Sequence, residues 1–152
     1  MDISQNGIAL IKGFEGCRLE VYNDSVRSQQ YPNGRPTIAW GHLILSGEDF
    51  SAGITQAQAD ALLLSDVFHD AEVFVSRLVP ECNQNQYDAL CSFTYNLGRS
   101  SLITMLGHGF QQIPNQILFW NHAGGVVQLG LTRRREAELK LFLTPVENEA
   151  TS

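Results

Sequence analysis

The sequence predicts an α+β fold: a small antiparallel β-hairpin lobe followed by a mostly helical lobe built around one buried central helix. Three observations carry this. Between Arg18 and Trp40 apolar and polar residues alternate and then meet a Pro-Asn-Gly turn signal, the pattern of short antiparallel strands. From Thr55 to Leu143 apolar residues recur at intervals of three and four, the helical period. Within that region, Tyr87, Leu90, Cys91, Phe93, Tyr95 and Leu97 lie nearly all round one helix, as expected of a helix surrounded by others. Strands gathered at one end of a helical chain are the α+β arrangement.

The elements follow in order. Ser4 suits an N-cap, and Ile8, Leu10, Ile11 and Phe14 form the stripe of a first helix that Gly13 and Gly16 loosen and end. "RLEVY" sets Leu19 and Val21 against Arg18 and Glu20, a half-exposed strand. "SVRSQQYPNGRP" is a polar tip and "TIAW" a second short strand; this hairpin lobe covers about residues 14–53. Thr55 with Gln58 makes a capping box. It opens a long helix whose inward face is predicted as Leu64, Val67, Phe68, Ala71, Phe74, Val75 and Leu78, closed by Pro80. Asn83 with Gln86 makes a second box for the central helix, which ends at Leu97 with Gly98 beyond it. Shorter helices are expected at Ser101–Leu106 and Pro114–Asn121, and a last one from about Thr132 to Leu143. The polar end, residues 145–152, reads as a frayed tail. With no repeat or linker, residues 1–152 are expected to form a single domain.

Composition narrows the function. The chain has 152 residues, 43% of them hydrophobic and 17% charged, enough to bury a core. Its net charge of −6 argues against general nucleic-acid binding. No apolar run approaches the roughly 20 residues that span a bilayer, so membrane insertion is not expected. The N-terminus lacks the basic-then-apolar pattern of a signal peptide. Cys17, Cys82 and Cys91 have neither an even count nor close C-x-x-C spacing, and read as small apolar residues. His69, His108 and His122 lack ligand-like spacing. No metal or organic cofactor is expected, and the protein reads as a monomer.

The chemistry rests on Glu15 and Asp24, with eight residues between them. Glycosidic cleavage commonly uses two carboxyls, one to protonate the leaving oxygen and one to activate water or attack directly. Glu15, where an apolar helix meets the sheet, suits the acid. Asp24, in a loop beside a strand, suits the base. Two acids at this spacing also occur as an ordinary helix-end acid and an ordinary turn acid.

The wider pattern is more specific. "GIALIKGFEGCRLEVYND", "TIAWGH", "GEDFSAGITQAQADALLLSD", "NQNQYDALCSFTYNLG" and "GLTRRREAELKLF" together resemble the phage-type lysozymes, glycoside hydrolase family 24, from about Ser4 to Phe142. The resemblance implies a lysozyme fold, with a cleft between the sheet lobe and the helical lobe. It also implies hydrolysis of the β-1,4 bond between N-acetylmuramic acid and N-acetylglucosamine in bacterial peptidoglycan. The family pattern is Glu, eight residues, Asp, five residues, Thr. Glu15 and Asp24 match the first interval. After five intervening residues the count from Asp24 lands on Gln30, whereas "TIAWGH" selects Thr37 after twelve. An insertion of about seven residues in the hairpin, near Ser28–Gly34, restores the register, since hairpin tips tolerate added length.

On this resemblance Glu15 is the general acid, Asp24 the general base and Thr37 the residue that holds water, in an inverting reaction. Aligning Phe142 places Arg134 as an ion-pair partner that orients Glu15. His42 matches a strand-end histidine with a structural hydrogen-bonding role, and Trp40 and Trp120 are expected to pack in the core. Arg18, Arg27 and Arg35, with Arg133 and Arg135, are expected to form a locally positive or neutral rim on a negative body. The biological role implied is an endolysin held in the host cytoplasm until a membrane lesion admits it to the wall. An exported antibacterial effector, and a lysozyme-like scaffold that binds glycan or protein without cleaving, remain alternatives.

Overall fold

The computed structural model describes residues 1–147, so most of the expected tail at 145–152 lies outside the described residues. The chain divides into two compact units. One joins Met1–Ile11 to the segment from Val67 onward; the other is Lys12–Asp66.

The Lys12–Asp66 unit carries a three-stranded antiparallel sheet in the order β1 (Arg18–Asn23), β2 (Pro36–Ala39), β3 (His42–Leu43). The third strand was not expected. It forms because Ala39 and Gly41 both take positive φ, +57° and +91°, which turns the chain back within three residues. Strand β1 also departs from expectation. Leu19 and Val21 are both exposed, at 37% and 42%, because the β1–β2 register shifts between Arg18 and Tyr22 and breaks the alternation. Ile38, Ala39 and Ala59 form this unit's core, with Trp40, Ile44, Phe50 and Ile54 against them. Ala59 lies on α2 (Gln56–Val67), whose start has the expected reciprocal box: Gln58 N–H donates to Thr55 Oγ1 at 3.2 Å, and Thr55 N–H to Gln58 Oε1 at 2.9 Å.

The long helix does not run evenly to Pro80. A π-turn at Phe68–Glu72 separates α2 from α3 (Val73–Leu78). Its extra residue per turn rotates the faces. Val67, Ala71 and Val75 are fully buried, but Leu64 and Phe68, expected inward, are about half exposed.

In the other unit α4 (Gln84–Leu97) is the central helix. Every residue from Tyr87 to Thr94 is buried. Asn83 and Gln86 complete its capping box in both directions, worth about 1 kcal/mol. Around it pack α3, α5 (Arg99–Leu106) and α7 (Leu129–Leu143). The expected helix at Pro114–Asn121 is instead a short α6 (Ile113–Gln116) between two 3-10 turns. A small unexpected hairpin follows, β4 (His122–Ala123) with β5 (Val126–Val127). Its Gly124–Gly125 loop, with both residues at positive φ, is a hairpin signal that the residues do carry.

Helix α1 (Gln5–Phe14) is tied to this unit by buried acids. Asp88 of α4 accepts from Ser4 N–H at 2.9 Å and from the Ser4 hydroxyl, and Glu72 accepts from Ile3 N–H at 3.0 Å. Ser4 caps α1 as expected, its Oγ accepting from Gly7 N–H at 3.5 Å.

Candidate active site

Glu15, Asp24 and Thr37 all fall in the Lys12–Asp66 unit. Glu15 is the first residue beyond α1 and is half-buried. The β2–β3 turn lies against it, since a Cβ placed on Gly41 would stand 3.7 Å from Glu15 Oε2. Tyr22 lies within electrostatic reach of both carboxylates. Burial raises its phenol pKa, the Arg18 guanidinium 4.7 Å over its ring opposes this, and the charges of Asp24 and Glu15 add to the rise.

Thr37 pairs with Tyr22 across the β1–β2 ladder, and Asn23 with Pro36. The next step outward joins Asp24 to Arg35, where Asp24 N–H donates to Arg35 O at 3.0 Å. The ten residues between these two are thus the loop, and Thr37 returns to the end of the β1–β2 ladder, two steps from the Asp24–Arg35 bond. The loop is closed inward by Arg27, whose guanidinium donates to Asp24 O at 2.6 Å, and by Gly34, which is buried at φ +98°. A Cβ on Gly34 would lie 2.0 Å from Asp24 O, so only glycine fits.

The Asp24 carboxylate is heavily engaged. Oδ1 accepts from Val26 N–H at 3.0 Å and Arg35 N–H at 2.8 Å; Oδ2 accepts from Arg35 Nε–H at 2.8 Å. Burial pushes its pKa up, but these bonds and the guanidinium charge outweigh it and hold Asp24 below the usual carboxylate range. A carboxylate has about four acceptor positions. Oδ1 has both of its positions filled, and Oδ2 keeps one. The same arginine reaches Thr37: Arg35 O accepts the Thr37 hydroxyl at 2.8 Å.

A profile described as phage lysozyme matches residues 12–138. The chain belongs to the phage lysozyme family. It is 40% identical over 154 residues to the endolysin of Lactococcus phage c2, covering 99% of this chain and 64% of that protein. The chain thus spans a little under two thirds of that relative's length. Among solved structures, a mutant of P22 lysozyme matches with a TM-score of 0.77 at 37% identity, covering 95% of this chain and 99% of that one. The muramidase domain of SpmX from Asticaccaulis excentricus matches with a TM-score of 0.76 at 33% identity and the same coverage. The α+β fold is lysozyme-like.

Arg134 is buried on α7, where its Nε–H donates to Glu138 Oε1 at 3.3 Å and its Nη2–H to Ser92 O at 3.3 Å. Arg135 overturns one expectation. It is completely buried, its Nη2–H donating to Asn96 Oδ1 at 2.8 Å and to Glu138 Oε1 at 2.9 Å, so it belongs to no surface rim. Arg35 likewise directs its charge at Asp24. Trp40 packs on the sheet core and donates its indole N–H to Asp60 at 2.9 Å, and Trp120 meets Phe93 edge-on at 5.7 Å. The three cysteines are free; burial pushes the Cys82 thiol up to about 12 and raises Cys91 as well, which leaves both as inert apolar side chains.

His42 holds more than its strand position suggested. It is buried, with Nδ1 2.8 Å from Asp66 Oδ2 and Nε2 2.9 Å from Glu48 Oε1. Ionised carboxylates only accept, so the protonated ring, with a hydrogen on each nitrogen, is the form that satisfies both. Burial lowers its pKa, but the bonds to Glu48 and Asp66 prevail and raise it.

Two surface pockets of this unit, about 460 and 340 Å³, share Gly53, Ile54 and Gln58, and neither is lined by Glu15, Asp24 or Thr37. Among the described residues no helix is long and apolar enough to cross a membrane, and no group of three or more His, Cys, Asp or Glu is placed to hold a metal. Sequence reasoning missed Tyr22, Glu48 and Asp66, and named Arg35 only as a rim charge rather than as the partner of Asp24. Arg35 carries a local signal, because it directly precedes the Pro36-Thr37 start of β2 and so must face the strand end that bears Asp24.

Proposed function

We propose that this chain is a muramidase. It hydrolyses the β-1,4 bond between N-acetylmuramic acid and N-acetylglucosamine in peptidoglycan, with inversion at the anomeric carbon. Glu15 protonates the leaving oxygen, Asp24 takes a proton from water, and Thr37 holds that water. Arg134 supports Glu15 in this scheme, on the family resemblance alone. The two units act as one lysozyme-like domain, a monomer that needs no cofactor.

The observation that carries the scheme is the direction of the Thr37 hydroxyl. Its proton goes to Arg35 O, so toward water it can only accept. Asp24 Oδ2 also only accepts. A water between them gives one hydrogen to each and turns a lone pair outward, the orientation that direct attack on an anomeric carbon requires.

The biological setting proposed is that of an endolysin, the name its phage relatives bear. It waits in the host cytoplasm and reaches the wall through a membrane lesion. A non-cleaving scaffold is the second reading, favoured by the engagement of Asp24 with Arg35, which lowers the basicity of the proposed base.

The test is lysis of outer-membrane-stripped bacteria by wild type, Glu15→Gln and Asp24→Asn, with circular dichroism and melting as folding controls. Wild type should clear the suspension and both folded variants should not. A folded, inert wild type supports the scaffold. Proton magnetic resonance of fresh product should give the inverted anomer; retained configuration contradicts direct attack by water.

A further inference from the structure

We propose that Arg35 is the positioning residue of the reaction, aiming Oδ2 of Asp24 and the lone pair of Thr37 at one water. This rests on the reading of Asp24 as base. Three groups of one residue converge there. The Arg35 main-chain N–H takes up Oδ1, which Val26 N–H then saturates. The Arg35 Nε–H occupies one position on Oδ2 and leaves the other. The Arg35 carbonyl receives the Asp24 main-chain N–H and the Thr37 hydroxyl together.

The consequence is selection of one oxygen. A free carboxylate rotates and offers either oxygen; here only Oδ2 keeps an open acceptor position, and the planar guanidinium fixes its direction. The ten-residue loop is then the means by which Arg35 arrives. Gly34, pressed on Asp24 O at positive φ, forces residue 35 to leave the loop facing the carboxylate. Charge alone would make Asp24 a weaker base, so the gain is geometric. A guanidinium that is partly exposed, 36% at the side chain, exerts a screened Coulomb effect, whereas its directional bond is unaffected by screening.

Arg35→Gln removes the guanidinium but leaves the main-chain bonds, and Arg35→Lys restores charge without the Nε–H. Both are compared with wild type and Asp24→Asn on soluble uncrosslinked glycan strands, measuring kcat, KM and their pH dependence, with thermal melting alongside. In Arg35→Gln, kcat at the pH plateau should fall about tenfold with KM little changed. The acid limb of kcat/KM should move to higher pH, because the Asp24 anion loses its nearby cation. Arg35→Lys should return the acid limb toward wild type while kcat stays low. Arg35→Gln with wild-type kcat and acid limb overturns the proposal. So does an equal loss in both variants with an unmoved acid limb and a lowered melt, which assigns Arg35 to loop integrity alone. Asp24→Asn active to within about tenfold of wild type sinks the base itself, a failure separate from that of Arg35.

Discussion

The hydroxyl of Thr37 donates to the carbonyl of Arg35 at 2.8 Å, so a buried side chain on β2 presents only lone pairs to whatever approaches it. Thr37→Val keeps the shape and β-propensity but removes the acceptor. Its kcat on soluble strands should fall roughly 10- to 100-fold with little change in melting temperature. Thr37→Ser keeps the oxygen and should stay near wild type. Equal activity of Val and Ser variants would remove Thr37 from the water site.

His42 should make stability depend on pH in one direction. Its folded pKa is raised by Glu48 and Asp66, so its contribution is fully present below the unfolded value of about 6.5 and is lost as pH rises through the folded value. Asp24 and Glu48 act oppositely. Burial raises each, hydrogen bonds from Arg35 and Val26 or from Leu45 and His42 overcome it, and their stabilisation is lost as pH falls below the usual carboxylate range. Melting temperature should therefore peak on the mildly acidic side of neutrality. In His42→Gln the decline on the alkaline side should vanish; an unchanged decline would show that another group causes it.

Gly7 sits inside α1, where alanine normally gains about 1 kcal/mol. The opposite sign is expected here. A Cβ at Gly7 would lie 2.5 Å from Ile3 Cγ1 and 2.9 Å from Asp88 Cβ, and Asp88 is held in place by Ser4 and Gln84. Overpacking of this kind costs about 1–3 kcal/mol. Denaturant unfolding of Gly7→Ala should show a net loss, and a gain would mean the α1–α4 contact is looser than described.

Glu138 lies fully buried between two arginines on its own helix, 2.7 Å from Arg135 and 3.3 Å from Arg134. Glu138→Ala removes the buried carboxylate that faces both guanidiniums and should cost about 3–5 kcal/mol by denaturant unfolding. The double variant Glu138→Leu with Arg135→Met should recover much of that loss. Failure of the double variant to recover would point to the polar network, rather than the carboxylate charge, as the stabilising element.

What the sequence by itself determined is what short-range physics controls. The Thr55–Gln58 and Asn83–Gln86 boxes each close over three residues, and both form as expected. The central helix was legible because Tyr87, Leu90, Cys91, Phe93, Tyr95 and Leu97 lie nearly all round it, and every residue from Tyr87 to Thr94 is indeed buried. The motif blocks were enough for the family, and with it the lysozyme-like fold. Glu15, Asp24 and Thr37 were nominated the same way, from spacing and resemblance.

The tertiary structure decided everything that depends on which surface meets which. In "TRRRE" three identical charges differ only in helical phase, and phase alone leaves Arg133 exposed and buries Arg134 and Arg135. The π-turn at Phe68–Glu72 shifts an apolar stripe that periodicity treats as continuous. Asp88 reaches Ser4 across 84 positions, and His42 finds Asp66 across 24. Arg35 reaches Asp24 only because a loop returns on itself at Gly34. A side chain's charge is written in the sequence; its partner is chosen by chain closure over distances that no local pattern spans.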